Sequence, residues 1–122
     1  MSRKKIMIVE DDPVTVKLLR FLLEKSGYEV VSKSNGLAAV ESVEDEMPDL
    51  ILMDVMMPEM DGIEATGKIK KNPRVSGIPI FFLSALGQEM EVIKGLQSGA
   101  EGYLVKPFDS RSLLKQIEDK LA

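Results

Sequence analysis

This chain has no histidine and no cysteine, so any chemistry it performs falls to carboxylates, hydroxyls, lysines or a bound ion. The candidates stand at the ends of short apolar runs. Glu10 and Asp11 follow Ile6 to Val9, Asp54 follows Leu50 to Met53, Ser84 follows Pro79 to Leu83, and Lys106 follows Gly102 to Val105. Two carboxylates about 5 Å apart repel by roughly 3 kcal/mol at an effective dielectric near 20, so an acid cluster needs a proton, a cation or a basic partner. Hard oxygen donors without imidazole or thiolate point to Mg²⁺, which takes one or two carboxylates, keeps waters and completes its shell with phosphate oxygens. In that setting Asp54 is a nucleophile candidate, because a carboxylate attacking phosphorus yields an acyl phosphate. Lys106 could offset the acids and bind a phosphoryl oxygen, and Ser84 supplies a hydroxyl at the end of the fourth apolar run.

That chemistry requires the ends to meet, and the order of elements supplies the means. Ile6 to Val9 is a central strand. Asp12-Pro13 starts a helix running to about Ser26, with Val14, Leu18, Phe21 and Leu22 on one face and Gly27 ending it. Glu29 to Ser32 is a second strand. Asn35-Gly36 makes a turn before a helix from Leu37 to Met47, closed by Pro48. The apolar run before Asp54 has the length of one fully buried strand, and after Gly62 a helix ends near Lys71 at Asn72-Pro73. Pro79 to Leu83 is the fourth strand, and Gln88 to Ser98 a helix with Met90, Ile93 and Leu96 at helical spacing. Gly102 to Val105 is the fifth strand. Ser110 is an N-cap candidate for a last helix carrying Leu113, Leu114, Ile117 and Leu121.

Strand and helix thus alternate five times, which predicts an α/β fold with a parallel sheet covered on both faces. The favoured topology is a doubly wound, flavodoxin-like five-stranded sheet of order 2-1-3-4-5, whose switch point lies between the first and third strands. It would set Glu10-Asp11 beside Asp54.

The 122 residues, 44% of them hydrophobic, fit one domain. A net charge of -4 argues against a sequence-independent nucleic-acid binder. The first apolar run is too short for a signal-peptide core or membrane span, so a cytoplasmic protein is expected.

The segments IVEDDP, LILMDVMMPEMDG, LSA and YLVKPF occur in this order, and with them the chain, from Lys5 to Leu121, resembles a response-regulator receiver domain of two-component signalling, of the single-domain, chemotaxis-receiver-like kind. The resemblance implies that Asp54 is the phosphoacceptor, Asp11 a direct Mg²⁺ ligand, and Glu10 its partner acid acting through water. It implies that Met56 ligates Mg²⁺ through its backbone carbonyl, that Ser84 and Lys106 bind the phosphoryl group, and that the rotamer of Tyr103 reports the state. Pro107 matches a cis proline, which would help aim Lys106.

Partners implied are a sensor histidine kinase or histidine phosphotransfer protein, and a downstream protein target meeting the surface of the fourth helix, fifth strand and fifth helix. No direct nucleic-acid or membrane contact is implied. Outside its own phosphoryl transfer and dephosphorylation the chain would not be an enzyme. Met56 and Leu86 occupy the positions that flank the hydrolytic water in the family. Two apolar side chains there lead us to expect slow autodephosphorylation, an expectation that a phospho-Asp54 half-life of seconds would contradict.

Plainer readings stand beside these. Asp12 suits an N-cap, and a lone Asp ending a strand is often a turn residue. The acidic run Glu41, Glu44, Asp45, Glu46 suits a solvated helix face, and the methionines around Asp54 suit packing. Asp61-Gly62 reads as a turn and helix start without a functional role. A haloacid-dehalogenase-like phosphatase would need an acid where Met56 stands and a substrate cap. Flavin phosphate would be repelled by Glu10-Asp11-Asp12. A phosphorylation-independent scaffold is disfavoured by the complete acid set.

Overall fold

In the computed structural model, which describes residues 3–85 and 89–122, the five apolar runs pair as parallel strands in the expected order, β2-β1-β3-β4-β5. The elements are β1 Lys5–Val9, α1 Pro13–Lys25, β2 Glu29–Lys33, α2 Gly36–Glu46, β3 Leu50–Asp54, α3 Gly62–Lys71, β4 Ile80–Ala85, α4 Glu89–Gln97, β5 Gly102–Lys106 and α5 Ser110–Leu121. Side chains alternate between faces along each strand, and this splits the core into two layers. Met7, Val9, Ile51, Met53 and Phe82 pack beneath Ala39 and Val43 of α2 and Ala65 and Ile69 of α3. On the other face Ile6, Ile8, Leu50, Leu52 and Leu83 meet Leu19 and Leu23 of α1 and Leu113 and Ile117 of α5. Every residue of β3 is buried, Asp54 included.

The helices start where local chemistry directs. Asp12 caps α1 by accepting from Val14 N–H, and Asp61 caps α3 by accepting from Glu64 N–H. Two expectations about starts need correction. Asn35 is the N-cap of α2, accepting from Ala38 N–H at 2.8 Å, and Gly36 is already helical. Asp109, not Ser110, caps α5, accepting from Ser112 N–H at 3.1 Å. In both cases the carboxylate or amide one residue earlier reaches the free N–H groups of the first turn.

One expected apolar face is wrong. In α1, Val14, Leu18 and Phe21 are exposed, whereas Leu19 and Leu23 are buried and Val16 and Leu22 pack partly against them. This helix carries two apolar stripes at helical spacing, and only the position of the sheet chooses between them. Phe21 is instead crossed by the Lys25 ammonium, 5.7 Å from the ring centroid. Leu23→Ala is therefore expected to cost about 2–4 kcal/mol in urea unfolding, and Phe21→Ala less than about 0.5 kcal/mol. The opposite order would restore the face first expected from the sequence. In α4, Met90, Ile93 and Leu96 are likewise exposed.

Candidate functional site

The strand register assembles the site. Val9 pairs with Met53, and Asp54 with Leu83, so the residues just beyond β1, at the end of β3 and near the end of β4 lie side by side. Ala85 pairs with Lys106, which brings the last residue of β5 to the same edge. Glu10 is tied to β2 through its N–H, which donates to the Lys33 carbonyl at 3.0 Å. Its side chain is buried with one oxygen accepting from Asp12 N–H at 3.1 Å. The other oxygen accepts from Lys106 Nζ at 2.6 Å, and the same ammonium lies 3.5 Å from Asp54 Oδ1.

Glu10, Asp11 and Asp54 each present an oxygen within 4.8 Å of the other two, with Asp11 exposed and the other pair buried. Asp12 is turned away as a cap, accepting from Thr15 Oγ1 at 2.6 Å and Val14 N–H at 3.3 Å. Ser84 is buried at the end of β4. The side chain of Met56 is exposed, and its backbone hydrogen bond to the Asp54 carboxylate favours ionisation. Tyr103 stands on the edge strand in register with Phe82, its side chain about half exposed at 47%. The Lys106–Pro107 peptide is cis, as the resemblance implied. Leu86 lies outside the described residues.

The charges are unequal. Burial, then the hydrogen bond and repulsion from Glu10, push Asp54 up to about 7 against the pull of Lys106. Burial also opposes ionisation of Glu10, but hydrogen bonds from Lys106, Asp54 and Asp12 N–H hold its carboxyl below the usual range. Burial works against the Lys106 ammonium too. The Glu10 hydrogen bond and the charge of Asp54 outweigh it and raise this amine above its ordinary value. The raised affinity of Asp54 for a proton and the Lys106 charge both ease the repulsion within the cluster.

Three carboxylate oxygens this close, in a crevice open on the Asp11 side, are a donor set that suits a hard divalent cation. Such an ion would replace the proton on Asp54. The exposure of Asp11 leaves room for water or phosphate oxygens to complete its shell.

One contributor was given no role from the sequence. Gly62 opens α3 directly beneath the site, where its N–H donates to the Val55 carbonyl at 2.9 Å. A Cβ there would overlap the Asp54 backbone carbonyl and press on the Met53 side chain. Asp61-Gly62 is more than a turn, because the missing side chain lets the loop fold back against β3. The dipeptide alone signals a turn; the need for close approach becomes visible only with β3 in place. Gly62→Ala is expected to cost about 2–4 kcal/mol and to weaken Mg²⁺ binding by displacing Asp54. A variant as stable as the wild type in urea would show that the loop can yield.

Comparison with protein families matches residues 6–118 to the response regulator receiver domain. Protein PilH of Pseudomonas aeruginosa is 38% identical over 118 residues, covering 97% of this chain and 98% of its own length. The alkaline phosphatase synthesis transcriptional regulatory protein PhoP of Bacillus subtilis is 39% identical over 115 residues, 94% of this chain and 47% of PhoP. The chain thus spans about half the length of some curated relatives and nearly all of others. Among solved structures, chemotaxis protein CheY4 of Vibrio cholerae superposes with a TM-score of 0.91 at 29% identity, covering 98% of this chain and all of its own. The receiver domain of a Pseudomonas aeruginosa sensor histidine kinase, with magnesium ion coordinated in its active-site cleft, gives 0.91 at 32% identity and 98% coverage of both chains.

Proposed function

Because this chain belongs to the response regulator receiver domain family of two-component signalling, we propose that Asp54 is the residue that takes the phosphoryl group. The observation that carries this is the convergence of Asp54 with Glu10, Asp11 and Lys106 at one edge of the sheet. The donor is a phosphohistidine on a sensor histidine kinase or a histidine phosphotransfer protein. An Asp54 oxygen attacks phosphorus, a P–O bond forms, the P–N bond breaks, and the imidazole leaves. Glu10, Asp11, Asp54 and the Met56 carbonyl would hold Mg²⁺, which when bound supplies positive charge for the carboxylates and the transferring phosphoryl oxygens.

The chain's own residues do the rest. Asp54 gives up its proton before it can act as a nucleophile. Lys106 already lies within 3.5 Å of Asp54 and needs only a small movement from Glu10 to bind a phosphoryl oxygen. Ser84 donates its hydroxyl to another. The shift of Ser84 lets Tyr103 leave its exposed position and turn inward, altering the surface of α4, β5 and α5 that meets a downstream protein. Phosphorylation shifts the balance of two states through its differential contacts. Met56 and Leu86 offer no polar group to orient a hydrolytic water, and the acyl phosphate is long-lived.

Residues 1–122 act as one receiver domain in the cytoplasm, with no direct nucleic-acid or membrane contact. No described helix is long and apolar enough to cross a membrane. The reaction is limited to the domain's own phosphoryl transfer and dephosphorylation.

The test is intact-mass analysis after incubation with acetyl phosphate, with and without Mg²⁺. A labile adduct of one phosphoryl mass that requires Mg²⁺ and is absent in Asp54→Ala is expected. No adduct, or one that persists in the variant, would remove Asp54 from this role and favour a phosphorylation-independent scaffold.

A further inference from the structure

The fourth helix sits on the sheet in an unusual way. Of the α4 side-chain positions described, Met90, Ile93, Lys94, Leu96 and Gln97 are exposed and only Gly95 is buried. Gly95 lies flat on the Phe82 ring: a Cβ at this position would fall inside the envelope of three ring carbons. The ring has little freedom to move aside. It is completely buried in the core layer with Met53 and Ile80, and its β4 position is in register with Met53 on one side and Tyr103 on the other. Ser84 lies two residues further along β4 and so projects from the same sheet face.

We infer that Phe82 and Gly95 form a ring-on-glycine seat that fixes the height of α4 and mechanically ties it to Ser84. The inference rests on the proposed phosphorylation switch and adds the coupling element to it. Among the described side chains of α4, the large apolar ones, Met90, Ile93 and Leu96, face outward and gain little from burial on the sheet. At Gly95, the one buried position among those described, steric fit against the ring sets the placement of the helix. A displacement at Ser84 is transmitted along β4 to the ring, and with no side chain between ring and helix the backbone of α4 must follow. Tyr103, beside the same ring on the edge strand, lies where the movement ends. Packed contacts of this kind transmit discrete shifts because the interior cannot be compressed.

The experiment uses the full chain with Gly95→Ala, Phe82→Leu and the double variant. Phosphoryl uptake is followed by intact mass, and the α4 and Tyr103 amide signals are followed by NMR on adding Mg²⁺ with beryllofluoride. Gly→Ala within a helix ordinarily stabilises. Here Gly95→Ala is expected to lower the melting temperature, to accept phosphate within about threefold of the wild-type rate, and to lose more than about half of the α4 and Tyr103 shift changes. The added methyl needs the space the ring occupies, so Phe82→Leu in the same chain is expected to restore both properties.

A Gly95→Ala protein with a raised melting temperature and wild-type shift changes would overturn the inference, as would a double variant no better than Gly95→Ala. Should Gly95→Ala fail to fold, Phe82→Leu alone decides. It is expected to accelerate amide hydrogen exchange in residues 89–97 by about tenfold or more while leaving α1 unchanged, and equal exchange in both would dismiss the seat. Absence of any wild-type response to beryllofluoride would instead strike the phosphorylation reading, leaving the melting and exchange results to judge the seat.

Discussion

Asp54→Asn is expected to accept no phosphoryl group and, without Mg²⁺, to be more stable than the wild type by about 1–3 kcal/mol at pH 7.5. Asp54 is nearly buried, at 6% exposure, and its proton is held up to about 7 by burial and by Glu10. In the unfolded chain the same carboxyl is ionised above about pH 4. Between those values the native state binds a proton that the unfolded state has lost, so stability falls as pH rises from about 4 to about 7. Above that range the wild type carries the full cost of a buried carboxylate next to Glu10. An upward shift of this size corresponds to a ceiling of about 4 kcal/mol at 1.4 kcal/mol per unit, reduced because Glu10 and Lys106 readjust. Asn presents an N–H₂ to Glu10 as the protonated acid presents its O–H, and has nothing to ionise. Urea unfolding of both proteins from pH 4.5 to 8 checks this. The wild type should lose stability relative to Asp54→Asn across the range and recover on addition of Mg²⁺, and two parallel profiles would show that Asp54 carries no such burden.

Lys106→Met is expected to act in the opposite direction on stability. The ammonium is the cation that offsets two buried acids, 2.6 Å from Glu10 and 3.5 Å from Asp54. Glu10 is only 1% exposed in its side chain, so it cannot turn to solvent when the partner is removed. Leaving a buried charge unpaired costs about 3–5 kcal/mol; sharing one proton between Glu10 and Asp54 recovers part of this, and a net loss of about 1–3 kcal/mol is expected. Saturating Mg²⁺ should restore a large share of it. Phosphoryl uptake should still fall, by about 10- to 100-fold, if the ammonium binds a phosphoryl oxygen as proposed, since the ion cannot also occupy that place. Single-turnover labelling with acetyl phosphate beside metal-free unfolding separates the two effects. Unchanged metal-free stability would mean that the ion pair contributes nothing to the fold.

Both expectations depend on residues that the sequence made visible in different degrees. Asp54, Glu10, Asp11, Ser84 and Lys106 were recognisable because each follows an apolar run, and a parallel sheet puts all such ends at one edge. The proton on Asp54 was not, since it depends on how deeply the carboxyl is buried and on which oxygen of Glu10 faces it.

The sequence by itself determined the order and type of elements, the strand order and the identity of the acid cluster. These follow from local periodicity, capping chemistry and a small set of allowed crossovers. Only the tertiary structure decided which stripe of α1 turns inward, since Val14, Leu18 and Phe21 satisfy helical spacing as well as the buried Leu19 and Leu23 do. It also decided that Gly62 and Gly95 matter for closeness. The space a glycine leaves empty has meaning only when the Asp54 carbonyl or the Phe82 ring, distant along the chain or on another element, arrives to use it.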